Sequence, residues 1–486
     1  MGNVPVKQRV SACLMALVFL GEVRETNAQE ASPQESKFFA QSSRPLDPTL
    51  RLDDVLRRVD RYYPKLIGAE AERRSAAGKT RSKRGAFDTT VSYSTDTLGY
   101  NSDGKLRTGF TNNITIERQT RFGAKFFATV DLNTSAVKSP DSNTGFGGQY
   151  GVGVKLPLFR GAGTNPKAAA EQQALLGEGL ADQEFVGTRL DVLLKASTVY
   201  WKWVANARKL TAAGDLLRLA EIRYKAVKEE VEAGVRAGID AQEAEQEVAR
   251  RAGNLRKAER DLQEQANALS LFLWENETTQ SPVPPFVAVP ELLPLPTGLT
   301  DAQIVAGREA ALKNRPELKD LRINREILNV DLRLARNDRQ PTVDLVYAPS
   351  IDTGINSVGN TMKAGILFSL PLERNDATGR INEARLKLAK NAQEERLTRA
   401  TIITEVNDVA NAVNKARERS LEAQREYDKA VIVEQGERDR LAAGDSDLFR
   451  VNLRERATFE ALLRVIDIQA EHEQFLALFR AVTAQF

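Results

Sequence analysis

Covalent catalysis needs nucleophiles, general bases or metal ligands in workable numbers, and this chain is nearly without them. Its only cysteine is Cys13 and its only histidine is His472, which all but removes thiol chemistry, a zinc centre and a Ser-His-Asp arrangement. His472 sits in an apolar helical stretch and reads as a packing residue. Gly161-Ala-Gly-Thr-Asn-Pro-Lys167 looks like a phosphate loop, but the G-x-x-x-x-G-K spacing is absent, and its glycines serve better to turn a strand into a helix. No catalytic, cofactor-binding or metal-binding residue is expected. The carboxylates with a distinctive place are Asp240, Asp445 and Asp447, just beyond Gly234 and Gly444. Asp445 and Asp447 suit the capping of the helix that follows.

The formal charge is +3 with 28% charged residues, too balanced for a nucleic-acid footprint. Lys7 and Arg9, the apolar run Val10 to Leu20 and the polar close at Thr26-Asn27-Ala28 make residues 1–28 a secretory signal peptide. Val10-Ser-Ala-Cys13 stands at the start of that apolar run instead of following it, which excludes it as a lipid-attachment box. Residues 29–48 read as a flexible leader. No later run of 18 apolar residues follows, so this exported chain can cross a membrane only as a closed β-barrel.

The elements that position the acids are written twice. Residues 49–280 hold an opening helix broken at Pro64, strands over 87–159 and a long helical hairpin over 165–274. A proline-rich linker over 281–299 follows, and residues 300–486 repeat the programme with a helix broken at Pro316, strands over 342–372 and a hairpin over 376–483. Each strand region hands over to its rod at the same joint, Leu156-Pro157-Leu158 and Leu370-Pro371-Leu372. Proline ends the ladder there because it has no N–H to donate, and Asn165 (or Thr164) and Asp376 are the expected helix caps. The rods, Lys167 to Ala233 and Ala377 to Ala443, carry apolar and small residues at steps of three and four, the seam of a coiled coil. A rod of 67 residues is about 100 Å long, and the two shorter helices of each half, end to end, span about 110 Å.

In these joints, in the Pro-x-Leu of each opening helix (Pro64 to Leu66, Pro316 to Leu318), in the paired rods and in the tip motif Gly234-Val-Arg-Ala-Gly-Ile-Asp240, the chain resembles the TolC-like outer membrane efflux proteins. The resemblance implies an α+β membrane protein: a transmembrane β-barrel on a long antiparallel α-helical coiled-coil barrel, two tandem repeats per chain, assembled as a homotrimer in the outer membrane with its helices in the periplasm. It also implies the channel of a tripartite efflux or type I secretion system, not an enzyme. The partners would be a periplasmic adaptor, an inner-membrane transporter of RND, ABC or MFS type and outer membrane lipids. A periplasmic coiled-coil scaffold is the alternative. The periplasmic tip candidates are Gly234, Asp240, Gly444, Asp445 and Asp447. Of the groups that close the family's gate only one acid has a counterpart, Asp240; the other positions fall on Leu441, Ser446, Arg450 and Leu453.

The spacings locate one departure. Pro157 to Pro371 is 214 residues, Gly234 to Gly444 is 210 and Pro64 to Pro316 is 252, so an excess of 38 lies in the first strand region. The chain therefore has four or six spanning strands, and a trimer 12 or 18. Arg107, Arg118, Arg121 and Lys125 crowd the additional hairpin, and a basic residue facing lipid costs about 2 to 4 kcal/mol at midplane. On that ground the expectation is four, with the excess lengthening strands or lying outside the membrane.

Overall fold

A computed structural model describes residues 49–102, 104–133, 144, 147–282, 284, 289, 293–353 and 358–486. The expected signal peptide and leader lie outside the described residues, as does part of the linker.

Two short helices open the chain, α1 (Leu52–Tyr62) and α2 (Pro64–Arg84). They break where expected, because a residue before proline is pushed out of the helical region and proline itself fits the first helical position. Tyr63 accordingly has ψ 122°. Strands β1 (Thr90–Ser102), β2 (Lys105–Gln119), β3 (Lys125–Asn133) and β4 (Gln149–Pro157) follow. The first rod is α3 (Pro166–Glu232), 67 residues long, and α4 (Gly238–Ser270) returns along it. Helices α5 (Asp301–Asn314) and α6 (Pro316–Asp338) break at Arg315, ψ 129°, for the same reason. Then come β5 (Thr342–Thr353), β6 (Val358–Ser369), the second rod α7 (Asn375–Ala442) and its return α8 (Leu448–Val482).

Small residues let the rods approach closely. Ala196, Ala205, Ala207, Ala213 and Ala220 of α3 are buried, as are Ala410, Ala416 and Ala423 of α7. Around α3, an apolar cluster joins Val55 and Val59 of α1 to Trp203 and to Leu262 and Leu269 of α4; around α7, another joins Ala311, Leu318, Val406, Val413 and Phe479. Ala205 of α3 meets Ile466 and Ala470 of α8, which ties the two helical sets together. The rods start differently. Asn165 caps α3, accepting from the Ala168 N–H, whereas α7 begins after Arg374 in a left-handed conformation, φ 51°, with no side-chain cap. The expected cap at Asp376 is thus corrected: its carboxylate lies inside the first turn, paired with Arg380, where the positive end of the helix still favours it.

All six strands form one antiparallel sheet in sequence order, β1-β2-β3-β4-β5-β6. The expectation is four spanning strands; the sheet itself holds six, with β2 and β3 paired between β1 and β4. Of the basic residues that argued for four, Lys125 and Arg121 have acidic partners. Lys125 pairs with Glu117 on the polar face, Arg121 turns onto Glu171 of α3 at 2.7 Å, Arg118 lies next to the last residue of β2, and the Arg107 backbone pairs with Tyr100 beside the hairpin turn.

Candidate functional site

The sheet has two chemically distinct faces, and the register fixes which residues share them. Tyr93, Ile114, Val130, Tyr150 and Ile351 form one cross-strand row, and Ile116, Ala128, Val152, Pro349 and Met362 follow the next. Most of this face is apolar yet open: Val91, Tyr93, Phe126, Val152, Ile351, Met362, Ile366 and Phe368 are each more than half exposed. Adjacent pairs such as Thr115 and Thr129, or Gly151 and Ser350, occupy the opposite face. That face is laced by polar contacts. Gln149 donates to Ser350 at 2.8 Å and to Thr361 at 3.2 Å, Asn113 donates to Asp131, and Lys155 pairs with Asp344 at 2.8 Å. Phe127 is an exception; it lies over Gly153, where a Cβ would come within 2.4 Å of its ring.

The joints anchor this wall to the rods. Leu156 and Pro157 end β4, and the Leu158 N–H donates to the Val343 carbonyl at 2.8 Å. The glycines that follow do turn the chain, with Gly161 at φ 91° and Gly163 at φ 69°. Gly123, in the β2–β3 turn, packs so closely that a Cβ there would stand 2.2 Å from the Gly161 carbonyl oxygen. Leu370 is half-buried, Pro371 exposed and Leu372 82% exposed, so the second joint presents its apolar side chains outward. Two carboxylates staple these ends. Glu171 takes Arg121 and Arg84, and the buried Asp338 takes Arg160 at 3.3 Å and Arg380 at 3.0 Å. The Arg121 guanidinium and its charge hold the Glu171 carboxyl below the usual range despite its partial burial.

The far ends of the rods are two copies of one turn. Gly234 (φ 74°) and Gly444 (φ 79°) are left-handed. Their N–H groups donate to Val231 and Leu441, and the next residues, Val235 and Asp445, donate to Glu230 and Arg440. This is the Schellman arrangement that glycine permits without a Cβ clash. Asp447 caps α8, accepting from the Arg450 N–H at 2.8 Å. Asp445 pairs instead with Arg440 at 3.2 Å, and Asp240 lies in the first turn of α4, 3.9 Å from Arg236. The tip acids are therefore not brought together; each serves its own hairpin.

What does bring the hairpins together lies deeper. Glu455 of α8 is buried and accepts from Arg223 of α3 at 2.9 Å, Arg251 of α4 at 2.6 Å and Arg438 of α7 at 3.0 Å. Asn452 also accepts from Arg223, at 2.8 Å. One carboxylate thus bonds to all three other long helices. Burial by itself raises its pKa, but the hydrogen bonds and charges of Arg223 and Arg251 override this and hold it down to about 2. Arg223 is eleven residues before Gly234 and Glu455 eleven after Gly444, which puts the knot about 16 Å from the tips.

Solved channels share the fold of this chain. The open outer membrane channel MtrE of Neisseria gonorrhoeae aligns over 90% of this chain and 89% of its own, at 14% identity and a TM-score of 0.65. The CmeC outer membrane channel of Campylobacter jejuni aligns over 89% and 85%, at 14% identity and 0.63, and the outer membrane protein VceC of Vibrio cholerae over 89% and 96%, at 15% and 0.63. The chain has the fold of an outer membrane efflux channel. Residues 121–273 also match the protein family described as outer membrane efflux protein, a span that runs from the β2–β3 turn through the first joint and both arms of the first hairpin. No curated protein matches the sequence. The resemblance read from the joints and tips is shown.

In this efflux-channel fold, the sequence reading placed the tip glycines and joints but missed Glu455, Arg223, Arg251 and Arg438. One signal was available. Val451 and Asn452 are core positions of α8, and Glu455 follows them at helical spacing, so an acid fell on a buried stripe and required a partner. His472 is fully buried as a packing residue, and its Nε2 donates to the Thr297 carbonyl at 2.8 Å, holding the end of the linker. Among the described residues no cluster of metal-ligating side chains occurs and no helix is long and apolar enough to cross a membrane.

Proposed function

We propose that the chain is the passive exit duct of a tripartite efflux or type I secretion system, working as a homotrimer across the outer membrane and periplasm. The observation that carries this reading is a sheet with one apolar and one polar face, mounted at the end of rods about 100 Å long. An apolar face suits lipid and a polar one a water-filled lumen, provided the sheet closes so that no edge is left unpaired. Energy would come from an inner-membrane transporter, coupled through a periplasmic adaptor that docks at the tips around Gly234 and Gly444. Asp240, Asp445 and Asp447 serve there in helix-end contacts, while the Glu455 knot sets how tightly the two hairpins are held. The two-repeat division, residues 49–280 and 300–486, fits the parallel pairs of joints and tips. Fractionation with outer membranes and conductance of the purified protein in planar bilayers test this reading. A cytosolic location, or a protein without conductance, overturns it; a periplasmic scaffold gives no conductance.

A further inference from the structure

We infer that all six strands of each chain form the membrane wall and that the wall closes between copies by pairing β6 of one with β1 of the next. In a trimer that makes 18 strands, six from each chain. The inference rests on the trimeric duct reading and adds the size of its mouth and the surface that joins its copies.

Three observations carry it. Apolar residues recur on one face through the strands in question, with Asn112 and Arg118 among them: Phe110, Ile114 and Ile116 on β2, and Phe126, Val130 and Leu132 on β3, stand in register with Tyr93 on one side and Tyr150 and Val154 on the other. A hairpin lying outside the membrane would have no reason to keep that pattern. The β2–β3 turn, moreover, lies at the level of the joints. Gly163 donates its N–H to the Phe122 carbonyl at 2.8 Å, Asn165 its side-chain amide to the Arg121 carbonyl at 2.9 Å, and Arg121 clasps Glu171. Both strands therefore start from the helical boundary, as β1, β4, β5 and β6 do. Finally, every strand has at least 9 residues, enough for the roughly 9 to 11 that a tilted crossing needs.

Closure follows from the edges. Among the described residues β1 and β6 each pair on one side only, and a bilayer does not tolerate an open edge. With six strands per chain, β1 leaves the helical end and β6 returns to it, so the two run antiparallel when copies meet. Their lengths, 13 and 12 residues, match. At a spacing of about 4.8 Å and a tilt of about 40°, 18 strands enclose a cylinder about 36 Å across, against about 24 Å for four strands per chain. A mouth of that width leaves an aqueous channel, and selection by size falls to the helical end.

The test uses single cysteines in a Cys13→Ser background, in trimers reconstituted into phosphatidylcholine vesicles and treated with a charged, membrane-impermeant maleimide. Ile114→Cys and Val130→Cys should label about tenfold or more slowly than Thr115→Cys and Thr129→Cys, because the thiolate reacts and lipid suppresses it. Val152→Cys and Ile366→Cys, on strands that either wall contains, are the reference and should also be slow. Fast labelling at positions 114 and 130 with slow labelling at 152 and 366 overturns the six-strand wall and leaves the duct intact. Fast labelling at all four overturns the duct as well. For the edges, Ser94→Cys on β1 is combined with Thr361→Cys, Lys363→Cys or Gly365→Cys on β6 and treated with a short bismaleimide. Covalent trimers from at least one combination support closure, and monomers from all three overturn it.

Discussion

Glutamine at position 455 keeps the shape of the glutamate and removes its charge. Arg251 would retain Glu247 at 2.7 Å and the Leu216 carbonyl at 2.9 Å, and Arg438 would retain Glu434. Arg223 would retain only Asn452 and lose its carboxylate. Removing one partner of a buried pair costs about 3 to 5 kcal/mol, because it strands the other charge. The acidity of Glu455 gives a second estimate: a fall from 4.5 to about 2 corresponds to about 3 kcal/mol at neutral pH. The two agree on a loss of about 3 kcal/mol for Glu455→Gln. The folded carboxyl is more acidic than the unfolded one, so the advantage of the parent protein is complete above about pH 4.5 and is lost as pH falls through about 2. Circular dichroism of the helical portion, followed against denaturant at pH 7 and pH 2.5, measures it. The double variant Arg223→Gln, Glu455→Gln should cost less than the sum of its singles, since these residues share one network. Equal stability of parent and Glu455→Gln at pH 7, or a gap that is unchanged at pH 2.5, would refute the reasoning.

Replacing Gly234 or Gly444 by valine forces a β-branched residue to φ near 75°, at a cost of about 1 to 2 kcal/mol. Export should fall while the heat-modifiable trimer still assembles, and unchanged export from both variants would detach the tips from docking. Burial, then the charges of Glu317 and Glu184, raise Asp320 from 3.8 to about 6. Its charged form therefore opposes folding, and stability falls as pH rises from about 3.8 through about 6. Asp320→Asn should raise the unfolding midpoint at pH 7 and change it little at pH 3.5. Asn165→Ala removes the cap of α3, worth about 1 kcal/mol, together with the bond to the Arg121 carbonyl. Amide hydrogen exchange should then quicken in the first turn of α3 and in the β2–β3 turn, while α7 stays unchanged.

Much of this architecture is local and so was legible in the residues. Proline at positions 64 and 316 fixes helix breaks through the conformation of its neighbour alone, and the glycines at 234 and 444 fix the tips through backbone freedom. The first rod was expected over Lys167 to Ala233 and runs over Pro166–Glu232, because a seam of small and apolar residues repeats within the helix itself. Strand alternation likewise marked the two strand regions, 87–159 and 342–372. Tertiary structure decided the rest, where partners are far apart in sequence. Whether β2 and β3 join the sheet depends on pairing with β1 and β4 and on the clasp between Arg121 and Glu171, fifty residues away; a count of basic residues does not see which face or partner each finds. Arg374 starts the second rod instead of an acid cap because the strand enters through a left-handed residue. The Glu455 knot draws on Arg223, 232 positions earlier. No sequence period links those two, and only the packing of four helices makes a charged residue affordable there.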